Sequence, residues 1–244
     1  MVAAWDFFDK VYCISLAERS DRRAEAAAQF ARVGLAERVE FVVVRKHPTD
    51  CEQGIYESHL LCMARGLAQG ARQMLIFEDD IVFEGFTTAA LERCVPFLDA
   101  ETDWHLLFLG CMVKASRRTQ FPGVLLVRYR SLSHAYAIHR SLAERLVTCP
   151  WQGVPYDDFL RDLKDERTFA LYPPFAFQSN SRSDNERYLP LDRIRRLLGG
   201  LRSLQKLDAE IGFTERLRGR RVLLKPNLVT VFHNLGMQER DYPE

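Results

Sequence analysis

Three observations predict an α/β fold built on a mostly parallel sheet. Short apolar runs alternate with helical patterns in the first half of the chain, in the order β-α-β-α-β-α-β. The run at residues 74–77 (MLIF) is apolar without a break, as in a strand buried on both faces of a sheet. It meets three consecutive carboxylates, Glu78, Asp79 and Asp80, which are too costly to bury unpaired. They belong at the carboxyl end of a sheet, where open α/β folds bind ligands.

The elements follow in order. Residues 11–16 (VYCISL) make a first strand, and Ser20 caps a helix that reaches about residue 33, with Gly34 past its end. Residues 39–44 (VEFVVV) make the second strand. A helix over 55–69 places Tyr56, Leu60, Met63 and Leu67 on one stripe, and Gly70 ends it. After the acidic strand come a helix at 87–98, a strand at 104–109 (WHLLFL) and a basic loop at 114–118. Strands at 124–130 and 133–138 are joined so briefly that a small antiparallel insertion is expected. A helix at 141–147, another starting at Asp157, an aromatic stretch at 169–177 and a polar loop at 179–185 follow.

Residues 191–244 differ. Ile194, Leu197, Leu198, Leu201 and Leu204 form one helical stripe, opposite Arg195, Arg196, Arg202 and Lys206. Such a basic amphipathic segment suits an anionic membrane surface, and equally suits a surface helix with its apolar face on the core. The expected organisation is a core over 1–190 with 191–244 packed on the same single domain.

The bulk numbers exclude several classes. In a chain of 244 residues, 34 Lys and Arg balance 33 Asp and Glu, which argues against a dedicated nucleic-acid binder. Six cysteines lie scattered without a Cys-x-x-Cys pair, and Cys13, Cys62 and Cys111 fall in apolar segments. Buried free thiols in a reducing compartment fit this better than a disulfide frame or a zinc site. The first ten residues carry Asp6 and Asp9 and no apolar core, and no run approaches membrane-spanning length. A cytoplasmic protein is expected, peripheral at the inner membrane if the basic helix binds lipid.

The acids carry the chemistry. Side chains alternate along a strand, so Glu78 and Asp80 are expected on one side and Asp79 on the other. Two carboxylates so placed can hold a hard divalent cation, the counter-charge that a nucleotide diphosphate needs.

Four stretches, in order, resemble glycosyltransferase family 25, the group of bacterial lipooligosaccharide glycosyltransferases and procollagen galactosyltransferases. They are residues 11–23 (VYCISLAERSDRR); 54–59 (GIYESH), where Ile55 stands in place of a Cys; 74–80 (MLIFEDD), where Phe77 stands in place of a Leu; and 133–146 (SHAYAIHRSLAERL) with 155–160 (PYDDFL). The resemblance covers roughly residues 11–185. It implies a GT-A-like (Rossmann-like) sheet with helices on both faces, a UDP-sugar donor, and inverting transfer of a galactose-like hexose to a glycan or lipooligosaccharide hydroxyl.

On that resemblance Glu78 and Asp80 hold Mn2+ or Mg2+, with Glu78 also on the ribose side and His233 as a third ligand. Arg19, Arg22 and Arg23 lie by the donor's base and phosphates, although Ser20 and Asp21 there serve a helix start equally well. Ser58 and His59 reach a phosphate or the donor sugar, Ser183 and Asp184 touch donor or acceptor, and Tyr136 shapes the sugar pocket. Asp158, or its neighbour Asp157, is the base that takes the acceptor's proton; both also read as caps of a helix after Pro155. Two other readings stand beside this one. A nucleotidyltransferase lacks support because no Gly-rich phosphate loop follows the first strand. The family also holds a member without evident transferase activity, so a catalytically inactive binding or adhesion module is the alternative.

Overall fold

The computed structural model describes residues 4–179. Eight strands form one mixed sheet in the order β2-β1-β3-β8-β5-β9-β7-β6. Strands β1 (Lys10–Leu16), β2 (Val39–Val44), β3 (Gln73–Glu78), β5 (Leu106–Phe108) and β9 (Thr168–Leu171) run one way. Strand β8 (Ala135–His139) runs against them in their midst, between β3 and β5. Strands β6 (Met112–Arg118) and β7 (Val124–Ser131) form an antiparallel ribbon at the far edge. A short second sheet pairs β4 (Ile81–Phe83) with β10 (Ala176–Gln178).

Strand β3 explains why this architecture suits the sequence. Met74, Leu75, Ile76 and Phe77 are all fully buried. Leu75 and Phe77 enter one core with Phe8, Phe30 and Trp104, while Met74 and Ile76 enter the other with Tyr12, Met63 and Tyr136. A strand with a core on each face has no polar side, so its sequence is continuously apolar. Helix α1 (Ser20–Arg32) buries Ala26 and Phe30 in the first core, and α2 (Cys51–Ala68) buries Tyr56, Cys62 and Met63 in the second.

Several elements depart from their sequence readings. Helix α2 begins at Cys51, a turn before the expected 55, because the Asp50 carboxylate accepts from the backbone N–H of Glu52 and Gln53 at 2.9 and 3.3 Å. The helix expected at 87–98 is two, α3 (Thr88–Glu92) and α4 (Val95–Ala100), with Pro96 at the start of the second. Pro cannot continue an established helix but fits a first turn. The basic segment 114–118 is strand rather than loop, since an edge strand can carry exposed cations.

The expected antiparallel insertion is present in another form. Strands β7 and β8 do not pair, although only three residues join them. Strand β7 pairs with β9 through residues 124–126 and thereafter stays with β6. Its Tyr129 stacks on Phe108 with ring centroids 4.5 Å apart. That path lets residues 132–134 reach the end of β3. Leu132 takes a positive φ of 77° there, strained for a branched side chain and held by the contacts described next. Helices α5 (Arg140–Leu146) and α6 (Tyr156–Asp162) complete the second core.

Candidate active site

Strand β3 ends at Glu78, whose N–H donates to the carbonyl of His134 at 2.9 Å. The chain then turns through Asp79 and Asp80 into β4. The alternation that would set Glu78 and Asp80 together against Asp79 therefore stops at Glu78, and the fold groups the acids differently. Arg22, buried in the first turn of α1, reaches Asp79 Oδ1 through Nε at 2.9 Å and Asp80 Oδ2 through Nη2 at 3.0 Å. Glu78 lies instead beside Ser133, whose hydroxyl donates to Oε1 at 3.4 Å, and beside His59 Nε2 at 3.7 Å.

Crowding sets the electrostatics. Burial pushes the Glu78 carboxyl up to about 7, and the charges of Asp157 and Asp79 push the same way against Arg22. Asp80 also rises to about 7, first through burial, with Arg22 opposing and Glu78 and Asp79 adding to the rise. Arg22 thus offsets only part of three clustered acids. Asp80 Oδ1 is buried with no hydrogen-bond partner, an orphan acceptor at the centre of the cluster.

The paired aspartates take different positions. Asp157 Oδ1 accepts from the Tyr129 hydroxyl at 2.6 Å and the Ser133 N–H at 3.1 Å, and Oδ2 accepts from the Leu132 N–H at 2.9 Å. It ties α6 to the β7–β8 connection, and no side chain caps α6. Asp158 is buried and pairs through Oδ1 with Arg161 Nη1 at 2.7 Å. The structure brings Asp157 toward Glu78 and turns Asp158 toward Arg161.

The other expected contacts are placed as follows. Arg23 donates to the carbonyls of Leu16 and Ala17 and to Ser15 Oγ, fixing the turn after β1. Arg19 pairs with the exposed Asp21 at 2.9 Å. Ser58 Oγ donates to the Gly54 carbonyl at 2.6 Å, within its own helix. His59 is fully buried, and burial lowers it to about 3, so the ring is neutral. Its Nδ1 shares a hydrogen bond of 3.0 Å with the Tyr136 hydroxyl, which shares another of 2.7 Å with that of Tyr156. The Tyr156 ring stacks on the imidazole with centroids 4.0 Å apart. Ser183, Asp184, His233 and the basic segment 191–244 lie outside the described residues.

Sequence reasoning missed Ser133, Tyr129 and Tyr156. Ser133 and Tyr156 fall inside motif stretches, but nothing in their chemistry singles them out. Tyr129 has no signal at all, because its role depends on the path of β7.

Two carboxylates, Glu78 and Asp80, the latter with its orphan oxygen, fit a divalent cation that takes its remaining ligands from water and a diphosphate. Among the described residues no group of three or more His, Cys, Asp or Glu is arranged to hold an ion by itself.

No family model matches the chain. It is similar to the human protein named inactive glycosyltransferase 25 family member 3, with 28% identity over 197 residues, 68% of this chain and 33% of that protein. The rat protein named probable inactive glycosyltransferase 25 family member 3 is 26% identical over 197 residues, 68% of this chain and 34% of its own. The chain is thus similar in sequence to proteins named as members of the glycosyltransferase 25 family. It spans about a third of the length of the curated proteins it matches. Among solved structures it is similar to A197 from STIV, at 13% identity and a TM-score of 0.45, covering 69% of this chain and 85% of that one. It is also similar to a glycosyltransferase involved in the glycosylation of the major capsid of PBCV-1, at 9% identity and a TM-score of 0.41, covering 67% and 82%. Nothing about chemistry follows from scores this low. No described helix of the chain is long and apolar enough to cross a membrane.

Proposed function

We propose that this chain is a glycosyltransferase. It takes a hexose, galactose-like, from a UDP-sugar and passes it to a hydroxyl of a surface glycan or lipooligosaccharide. The observation that supports this is the cluster at the end of β3: Glu78, Asp79 and Asp80 against one buried arginine, with an orphan oxygen on Asp80. A cluster of excess acid is unfavourable on its own and becomes favourable once a cation and a diphosphate occupy it.

In the reaction the acceptor oxygen bonds to the anomeric carbon as that carbon's bond to the diphosphate oxygen breaks, with inversion. The acceptor's proton leaves to a carboxylate. Asp157, with three donors on its oxygens, serves as a fixed charge that holds Ser133 and Glu78 in place. Asp158, engaged through one oxygen, is the candidate base. Glu78 and Asp80 are the candidate holders of Mn2+ or Mg2+, which when bound supplies positive charge for the leaving diphosphate. Arg22 orients Asp79 and Asp80, and Arg19 and Arg23 shape the turn toward which the nucleotide lies. His59 Nε2 lies 3.7 Å from Glu78 and lines that side of the cluster. Localisation at the cytoplasmic membrane face, through residues 191–244, belongs to the same reading.

Calorimetry with UDP and Mn2+, followed by a panel of nucleotide sugars, tests this. The expected result is metal-dependent UDP binding and hydrolysis of one donor, with turnover reduced by about 10²–10³ in Asp80→Ala, the scale of one lost transition-state stabiliser. Full turnover in Asp80→Ala with metal present would reject the assignment of the acids. The names of the human and rat relatives favour a second reading, a binding module without turnover. Absence of UDP binding at millimolar nucleotide would select it.

A further inference from the structure

The hairpin formed by β6 and β7 carries cations without a single acid. Between residues 112 and 131 stand Lys114, Arg117, Arg118, Arg128 and Arg130, and no Asp or Glu, in a protein whose net charge is +1. An edge strand commonly carries a cation or two to discourage pairing with another chain. That purpose does not explain where these lie.

The ladder between β6 and β7 slips twice near the candidate site. Met112 pairs with Ser131, Val113 with Tyr129 and Ala115 with Arg128. The residue left out of the ladder on β7 is therefore Arg130, and the one left out on β6 is Lys114. Bulges re-aim side chains, and they recur beside active sites. Both bulged residues are cations, and both adjoin the Val113–Tyr129 pair whose tyrosine hydroxyl holds Asp157. Lys114 is also pushed down, first by burial and then by the positive charges of Arg161, Arg128 and Arg130, with Asp162 opposing, so four cations and one acid converge here. Arg161 is the partner of Asp158, the candidate base. An anionic group that reaches this point meets several positive charges at once.

We infer that the bulged hairpin, with Lys114 and Arg130 at its centre and Arg128 and Arg161 beside them, is a subsite for an anionic saccharide, one bearing carboxylate or phosphate groups. The inference rests on the transferase reading and names the acceptor's class: a charged sugar whose hydroxyl lies near Asp158. A membrane surface fits less well, because the exposed large apolar side chains among the described residues are Val43, Ile55 and Leu61, none of them on the hairpin. A single-stranded nucleic acid would want exposed aromatic rings, and Tyr129 is buried.

The test titrates the full chain with an oligogalacturonate, with its methyl ester as a neutral counterpart of the same shape, and with a phosphorylated oligomannoside. Wild type is expected to bind at least one charged saccharide about tenfold more tightly than the ester at low salt, with the preference shrinking near physiological salt. Lys114→Gln combined with Arg130→Gln should remove that preference. Arg117→Gln combined with Arg118→Gln, farther along the hairpin, should keep most of it. Arg128→Gln provides a milder variant if the bulged pair does not fold, and is expected to lower the preference about threefold. Equal binding of the charged saccharides and the ester by wild type overturns the inference, as does a preference that survives in the bulged-pair variant. So does a result in which the hairpin variants lose only binding to vesicles containing anionic lipid. UDP and Mn2+ calorimetry on the same samples separates the two failures. UDP binding without saccharide preference rejects this subsite alone, whereas absent UDP binding rejects the transferase reading itself.

Discussion

Arg22 reaches two carboxylates at once, and removing it leaves both in a buried corner with no counter-charge. Breaking a buried pair costs about 3–5 kcal/mol, far more than its net contribution when intact. Arg22→Gln is therefore expected to destabilise by roughly that amount at pH 8, as read from urea unfolding. The loss should shrink toward pH 5.5, because without Arg22 the Asp80 carboxyl rises further above about 7 and takes up a proton. Thiols offer a second measurement at this scale. Cys13 is raised by burial, and Cys62 and Cys94 are raised to about 12, whereas Cys51 and Cys149 are half-buried. In the native protein a thiol reagent should label Cys51 and Cys149 fast and the buried cysteines only on unfolding, as peptide mapping would show. The acids of this corner were legible in the sequence because three carboxylates cannot end a buried strand without a purpose. Their pairing was not. Arg22 is 57 positions from Asp79 in the chain, and only the parallel placement of β1 and β3 brings them together.

Elements were legible wherever one periodicity dominated. Strands β1, β2 and β3 stand within a residue or so of their apolar runs: β1 and β3 lie inside the sheet, and β2, at its edge, carries a β-branched run. Strand β6 was not, since KASRR reads as loop until the edge position of the strand is known. Strand β4 is three residues long and carries no pattern of its own. Close contact between α2 and β3 depends on a missing side chain. A Cβ at Gly66 would lie 2.3 Å from Met74 Sδ, and Met74 is fully buried. Gly66→Ala should therefore cost about 1–3 kcal/mol through overpacking, despite the better helix propensity of alanine. Met74→Ala alone should cost about 2–5 kcal/mol through a cavity. The double variant should be less destabilised than the sum, by roughly 1 kcal/mol or more, since the methyl enters the space that the methionine leaves. Strict additivity in denaturant unfolding would show that the helix shifts rather than the side chain.

At the scale of the whole molecule, buried groups of opposite habit set the response to acid. Burial lowers His59 to about 3 and His134 to about 4, while Glu78 and Asp80 stand near 7. From pH 6.5 down to about 4.5 the unfolded chain gains protons on the two histidines, which favours unfolding. Over the same window the native protein gains protons on the two acids, which favours folding. Stability rises with pH wherever the unfolded state binds more protons, so the four contributions nearly cancel and the apo protein should hold a flat stability there. Below about 4 the unfolded acids take up their protons and His134 begins to titrate in the native protein, so that chiefly His59 still differs between states and stability falls gently. Neutralising both acids in a Glu78→Gln and Asp80→Asn variant exposes the histidine effect. Above pH 7 that variant should be no less stable than wild type, apart from the weakened contact with Arg22. On acidification from 6.5 to 4.5 it should lose about 1.4 kcal/mol per pH unit for each uncompensated proton, while wild type does not. Chemical denaturation at half-unit pH steps measures the difference between the two curves, in which the ordinary surface carboxylates drop out. Parallel curves would mean that the acids at the end of β3 are solvated rather than crowded. The excess acid on which the proposed diphosphate site depends would then be absent.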